Sequence, residues 1–154
     1  MAKIVHPVAG VAAILTIATF WLSTAVSELF ASHATVATVK AVIPWGFILL
    51  IPALMAVGAS GFALATGRPR AGIVGAKIKR MPLIAGNGIL VLIPSALFLA
   101  VKARAGEFDG IFYTVQVLEL VAGAANIALL GLNFRDGLKM TGRLRRRSAL
   151  SGVR

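Results

Sequence analysis

Four uninterrupted apolar runs dominate the chain, and their length leaves few folds open. Residues 4–27, 41–67 and 81–101 hold no formal charge, and 110–134 holds only Glu119. Each run reaches the roughly 20 residues a helix needs to cross a hydrocarbon core about 30 Å thick. A lone strand of that length would leave its backbone N–H and C=O groups unpaired in lipid, so the runs predict helices. The expected spans are 6–31, 41–65, 82–102 and 109–134. The fold class that follows is all-α: an integral membrane four-helix bundle, up-down-up-down, with a single transmembrane domain over 1–154 and a basic tail at 135–154. The first run exceeds the apolar region of a secretory signal, and no small-residue cleavage site follows it at the right place, so it is read as a span.

Composition narrows the chemistry. With 58% apolar and 14% charged residues and a mean hydropathy of +0.91, the chain is far too greasy for a water-soluble globule or a disordered segment. There is no cysteine, which excludes thiolate zinc sites, iron–sulfur clusters, c-type haem attachment and disulfide frameworks.

Charge placement gives an expected orientation. Thirteen of the sixteen basic residues fall in the amino terminus (Lys3), the middle loop (Arg68, Arg70, Lys77, Lys79, Arg80) and the tail (Arg135, Lys139, Arg143, Arg145, Arg146, Arg147, Arg154). Lys40, Lys102 and Arg104 fall in the other two loops, diluted by Glu107 and Asp109. Basic loops stay inside, which predicts a multi-pass protein of a bacterial-type inner membrane with both termini in the cytoplasm. The formal charge of +11 is then a membrane-surface feature. Arg143, Arg145, Arg146 and Arg147 are expected to contact anionic lipid headgroups, each cation gaining about 1 kcal/mol. Nucleic acid is not an expected partner, because the segment offers no aromatic side chain for base stacking.

Several features bear on packing. Gly46-Phe47-Ile48-Leu49-Leu50-Ile51-Pro52 is echoed by Gly88-Ile89-Leu90-Val91-Leu92-Ile93-Pro94. A proline in mid-span removes a backbone hydrogen bond and kinks the helix. Paired interruptions of this kind mark some transporter sites, although a limited apolar vocabulary produces short echoes as well. Ala53, Ala56, Ser60 and Ala63 on the second helix, and Gly123 with Ala124 on the fourth, offer close approach between backbones. Trp45 suits an interfacial anchor and Trp21, deeper, a packing role.

Ionisable groups within a span are expensive and need a partner or a cavity. Gln116, Glu119, Gly123, Asn126 and Asn133 form a stripe at helical spacing that should face the bundle interior. Glu28 lies near the same end, and His33 follows it, just past the expected end of the first helix. Three readings compete for Glu28, His33, Gln116 and Glu119. They bind a metal ion through mixed oxygen and nitrogen donors; or the carboxylates relay protons or couple ion movement; or they are structural. Haem b is a further candidate. His6 and His33 are separated by about 40 Å of helix and cannot share an iron, so His6 with Met81, or His33 with its counterpart in a homo-oligomer, are the possible axial pairs. Asn87, between two glycines, is expected to bridge to Asn126 or Asn133 as polar packing. The glycine-bearing middle loop lacks the Lys-Ser/Thr ending of a phosphate loop.

The function expected first is a small membrane protein with an intramembrane metal- or haem-type site supporting electron transfer. A small transporter or channel using a buried glutamate is the alternative. A non-catalytic accessory or assembly subunit of a larger membrane complex is the third. The sequence does not decide between enzyme and non-enzyme.

Overall fold

The computed structural model describes residues 1–66 and 72–140, and every regular element among them is helical. α1 spans Ala2–Phe30 and α2 spans His33–Ala65. A third rod, Gly72–Arg104, is built of α3 (Gly72–Asn87), a π-helical turn (Gly88–Leu92) and α4 (Ile93–Arg104). α5 spans Gly110–Met140. All four rods are long and apolar enough to cross a membrane, as the four runs predict, and the chain is that of a multi-pass membrane protein.

The helices overrun the expected spans. α2 begins at His33 instead of 41, the third rod at Gly72 instead of 82, and α5 continues to Met140 instead of stopping at 134. Hydropathy marks the thickness of the lipid, whereas a helix continues until its backbone is capped. Lysine and arginine are good helix formers and can extend their charged ends beyond an apolar stem. Lys77, Lys79 and Arg80 are therefore helical and not in a loop, and Arg135 and Lys139 belong to α5 and not to a tail. Arg143, Arg145, Arg146 and Arg147 lie outside the described residues.

Local chemistry sets the turns at one end of the rods, called here the turn end. Ala31 is extended (φ −116°, ψ 169°), and Ser32 caps α2, its Oγ accepting the Thr35 N–H at 3.4 Å. Between α4 and α5, Gly106 has φ +72°, a left-handed conformation that glycine adopts without a steric penalty. Asp109 then caps α5 by accepting the Phe112 N–H at 2.9 Å. Lys102 Nζ donates to Asp109 at 2.6 Å and to Glu107 at 3.0 Å. The lysine bond, followed by that of the Phe112 N–H, holds the Asp109 carboxyl below its usual range.

The seven-residue echo does not extend to the backbone. Residues 46–52 are ordinary α-helix, whereas 88–92 open into the π turn. Pro94 has no N–H for the Leu90 carbonyl, and the π turn occupies the place of that missing bond.

α1 packs on α2 and α5, α2 on α4, and both α3 and α4 on α5. The inward face of α5 reads Phe112, Gln116, Glu119, Gly123, Asn126, Leu130 and Asn133, and all but the half-buried Glu119 are buried. Those steps alternate four and three, the spacing of left-handed helix packing. Close approach is allowed by small residues such as Ala13, Ala96, Ala100 and Ala103, which are all buried. Of the small residues on α2, Ala53 and Ser60 are buried, whereas Ala63 faces outward. Large side chains cover the outside: Ile48, Phe62 and Leu90 are each more than 70% exposed, a surface suited to lipid and not to water. Inside, one apolar layer joins Val36, Leu99, Ala103 and Phe112 near the turn end. A second joins Ala13, Ile17, Leu50, Ala53, Ile84 and Leu130 further along. Between these two layers on α2 and α5 lie Lys40, Gln116 and Glu119.

Candidate functional site: a buried ion pair between two apolar layers

Lys40 is 1% exposed, which is unusual for any lysine and costly between apolar layers. Its ammonium donates to Glu119 Oε2 at 2.5 Å, across 79 positions of sequence. α2 carries Lys40 about 10 Å from its turn end, and α5 carries Glu119 about 14 Å from its own. Val36, Lys40 and Ile43 are all buried, at steps of four and three, so one face of α2 delivers the lysine and the apolar residues on either side of it.

Two further groups approach the pair. Gln116, one turn before Glu119 on α5, donates through Nε2 to the same carboxylate oxygen at 3.4 Å. Its own Oε1 is buried and accepts no hydrogen bond. Glu28, at the end of α1, lies within electrostatic reach of Lys40, Glu119 and His33, and its Oε1 is likewise buried without a donor. Pro44 adds to the irregularity, because it has no N–H for the carbonyl of Lys40 four residues earlier. Two carboxylates and one ammonium give the cluster a formal charge of −1.

Trp21 separates this cluster from the groups beyond it. Its indole N–H donates to the Leu120 carbonyl at 2.8 Å. The ring lies so close over Gly123 that a Cβ there would sit 2.8 Å from Trp21 Cδ1. Further along α5, Asn87 donates to the Ala122 carbonyl at 2.8 Å and to Asn126 Oδ1 at 3.1 Å. Asn126 in turn donates to the Ile84 carbonyl at 3.4 Å. Asn133 lies apart from that pair. It accepts from Arg80 at 3.4 Å and lies 3.9 Å from the Met81 sulfur, while Arg80 pairs with Asp136 at 2.7 Å.

The remaining expected site residues do not join the cluster. His33 is the first residue of α2, not a residue trailing α1. Its ring stacks on Phe108 with centroids 4.4 Å apart, and Nε2 lies 3.4 Å from the Tyr113 hydroxyl. Glu107 and Asp109 are taken up by Lys102. At the other end of α1, His6 Nδ1 lies 3.2 Å from the Val57 carbonyl and 3.1 Å from Ser60 Oγ. Ser60 gives its own proton to Ala56, so His6 is tied to α2 while Met81 faces Asn133 on α5. Among the described residues, no three His, Asp or Glu side chains converge closely enough to hold a metal ion.

Lys40 and Asp136 are the residues that sequence reasoning passed over. A single cation near the end of an apolar run reads as a loop marker. The signal that singles out Lys40 is its place at helical spacing between Val36 and Ile43, together with the need of Glu119 for a counter-ion. Asp136 continues the Asn126–Asn133 side of α5 by three residues. Comparison with protein-family models, curated proteins and solved structures finds no match for this chain.

Proposed function

We propose that this is a small transporter or channel of a bacterial-type inner membrane that moves a cation by way of Glu119, with Lys40 as its internal counter-ion. The observation that carries the proposal is the nearly complete burial of Lys40 against that carboxylate. A polar tie between rods needs no charge, since Asn87 and Asn126 join α3 to α5 with neutral amides. Removing two ions from water costs several kcal/mol for each, and ionisable groups in a span are by default functional. Lys40 is electrostatically coupled to Glu28 as well as to Glu119. A cation arriving at Glu119 then leaves the lysine a second carboxylate toward which to turn. The distribution of basic residues sets the termini in the cytoplasm, so the ion pair lies in the half of the membrane away from it.

A metal- or haem-type centre for electron transfer has less support. Aromatic rings occupy His33, and His6 and Met81 are engaged by different helices. The transport reading is tested with the purified chain in liposomes under an imposed potential, following proton and sodium uptake. The wild type should carry one of them, and Glu119→Gln should slow it about tenfold or more, equivalent to 1.4 kcal/mol or more of barrier. No uptake by the wild type, or equal uptake by the variant, would refute it.

A further inference from the structure

We infer that Glu28, Gln116 and Glu119 form a binding site for one monovalent alkali cation. The inference rests on the transport reading of the same cluster and names the ion. Gln116 is 3% exposed, and its Oε1 is an acceptor without a donor. A buried amide oxygen left bare costs a sizeable fraction of its desolvation, and nearly all such oxygens in proteins have a partner. Glu28 Oε1 presents the same deficit from a different helix. Both side chains approach the Lys40–Glu119 pair, one by hydrogen bond and the other electrostatically. Two acceptors, one on α5 hydrogen-bonded to the pair and one on α1 coupled to it, are thus each left without a donor.

The chemistry of those atoms selects the ligand. All of them are oxygens, the donors preferred by hard cations. The charge of the cluster selects the valence. With Lys40 in place the formal charge is −1, which one monovalent ion neutralises. A divalent ion would leave +1 among apolar layers, where an uncompensated charge is most costly. A proton on Glu28 meets the same charge requirement and turns that oxygen into a donor, and sodium binding is the property that separates an alkali ion from it. Lys40, drawn to both carboxylates, is then the group whose position reports whether the ion is present.

Radiolabelled sodium binding to the detergent-purified full-length chain tests this without any need for flux. The expected result is saturable binding of one ion per chain, competed by unlabelled sodium. It should weaken by about tenfold or more, equivalent to 1.4 kcal/mol or more, in both Glu28→Gln and Gln116→Leu. Glu107→Gln, at an exposed carboxylate paired with Lys102, should bind as the wild type does. Gel filtration and tryptophan emission identify variants that have not folded, and Glu28→Asp and Gln116→Asn, which withdraw the oxygen by one methylene, then replace them with the same expected loss of binding. Absence of saturable sodium binding by the wild type overturns the inference, as does equal binding in the Glu28 and Gln116 variants. Proton uptake in liposomes without sodium binding would leave the transport reading standing and remove the alkali site. Sodium binding without any flux would do the reverse.

Discussion

Replacing Lys40 by methionine keeps the length of the side chain, removes its charge and leaves Glu119 without its counter-ion, with the Gln116 amide still donating to it. At an effective dielectric constant near 20, two charges 4 Å apart attract by about 4 kcal/mol. That attraction in the intact pair offsets a desolvation cost of several kcal/mol per ion, so the pair itself adds little to stability. Deleting one member removes the attraction and keeps the cost for the other. With Lys40 1% and Glu119 12% exposed, solvent can relieve little of it, and the expected loss is about 3–5 kcal/mol. Domains have only about 5–15 kcal/mol of total stability, so the change should be plain in unfolding curves recorded by circular dichroism in mixed micelles, titrating an anionic detergent. Lys40→Met with Glu119→Gln removes both charges and should recover most of the loss. A loss below about 1 kcal/mol for Lys40→Met, the range of exposed pairs, would refute the assignment of a buried pair. So would a double variant no more stable than Lys40→Met alone.

Gly123→Ala should cost about 1–3 kcal/mol by overpacking. Trp21 cannot swing away from the added methyl without losing its bond to the Leu120 carbonyl, and a shift in tryptophan emission would report the displacement. Gly46→Ala brings a Cβ against the ring tip of Phe20, which has no hydrogen bond to lose, and it should be the milder of the two. Asn87→Leu removes donors to Ala122 and Asn126, and a cycle with Asn126→Leu should give a coupling of about 0.6–1.7 kcal/mol. The Asp109 carboxyl is held below its usual range by Lys102. Its contribution is therefore present at neutral pH and disappears as pH falls from the ordinary carboxylate value through the lower folded one. Asp109→Asn should be the less stable chain at neutral pH and should match the wild type in strong acid, as thermal unfolding across pH will show.

Much of the fold was legible because lipid imposes one requirement, an apolar helix of sufficient length, four times over. The stripe on α5 was legible for the same reason: steps of three and four put Gln116, Glu119, Asn126 and Asn133 on one side, and that side is turned inward. What hydropathy missed was charge held inside. Lys40 looks like the end of a span because its counter-ion is 79 positions away, and no single segment contains the information that cancels it. Arg80 was assigned to a loop for the same reason, with Asp136 56 positions distant. The donor set first considered for a metal, Glu28, His33 and Glu119, was chosen by depth along the helices. Depth says nothing about azimuth, and His33 turns toward Phe108.

Both acids that close an ion pair across the bundle belong to α5, and both cations that meet them come from helices made earlier. A ribosome delivers Lys40 and then Arg80 to the bilayer before Glu119 and Asp136 have been translated. For that interval Lys40 has Glu28 of α1 within electrostatic reach, whereas Arg80 still awaits Asp136. α2 and the third rod can settle fully only when the last helix arrives. A chain stopped before residue 110 would lack both carboxylates that close these pairs.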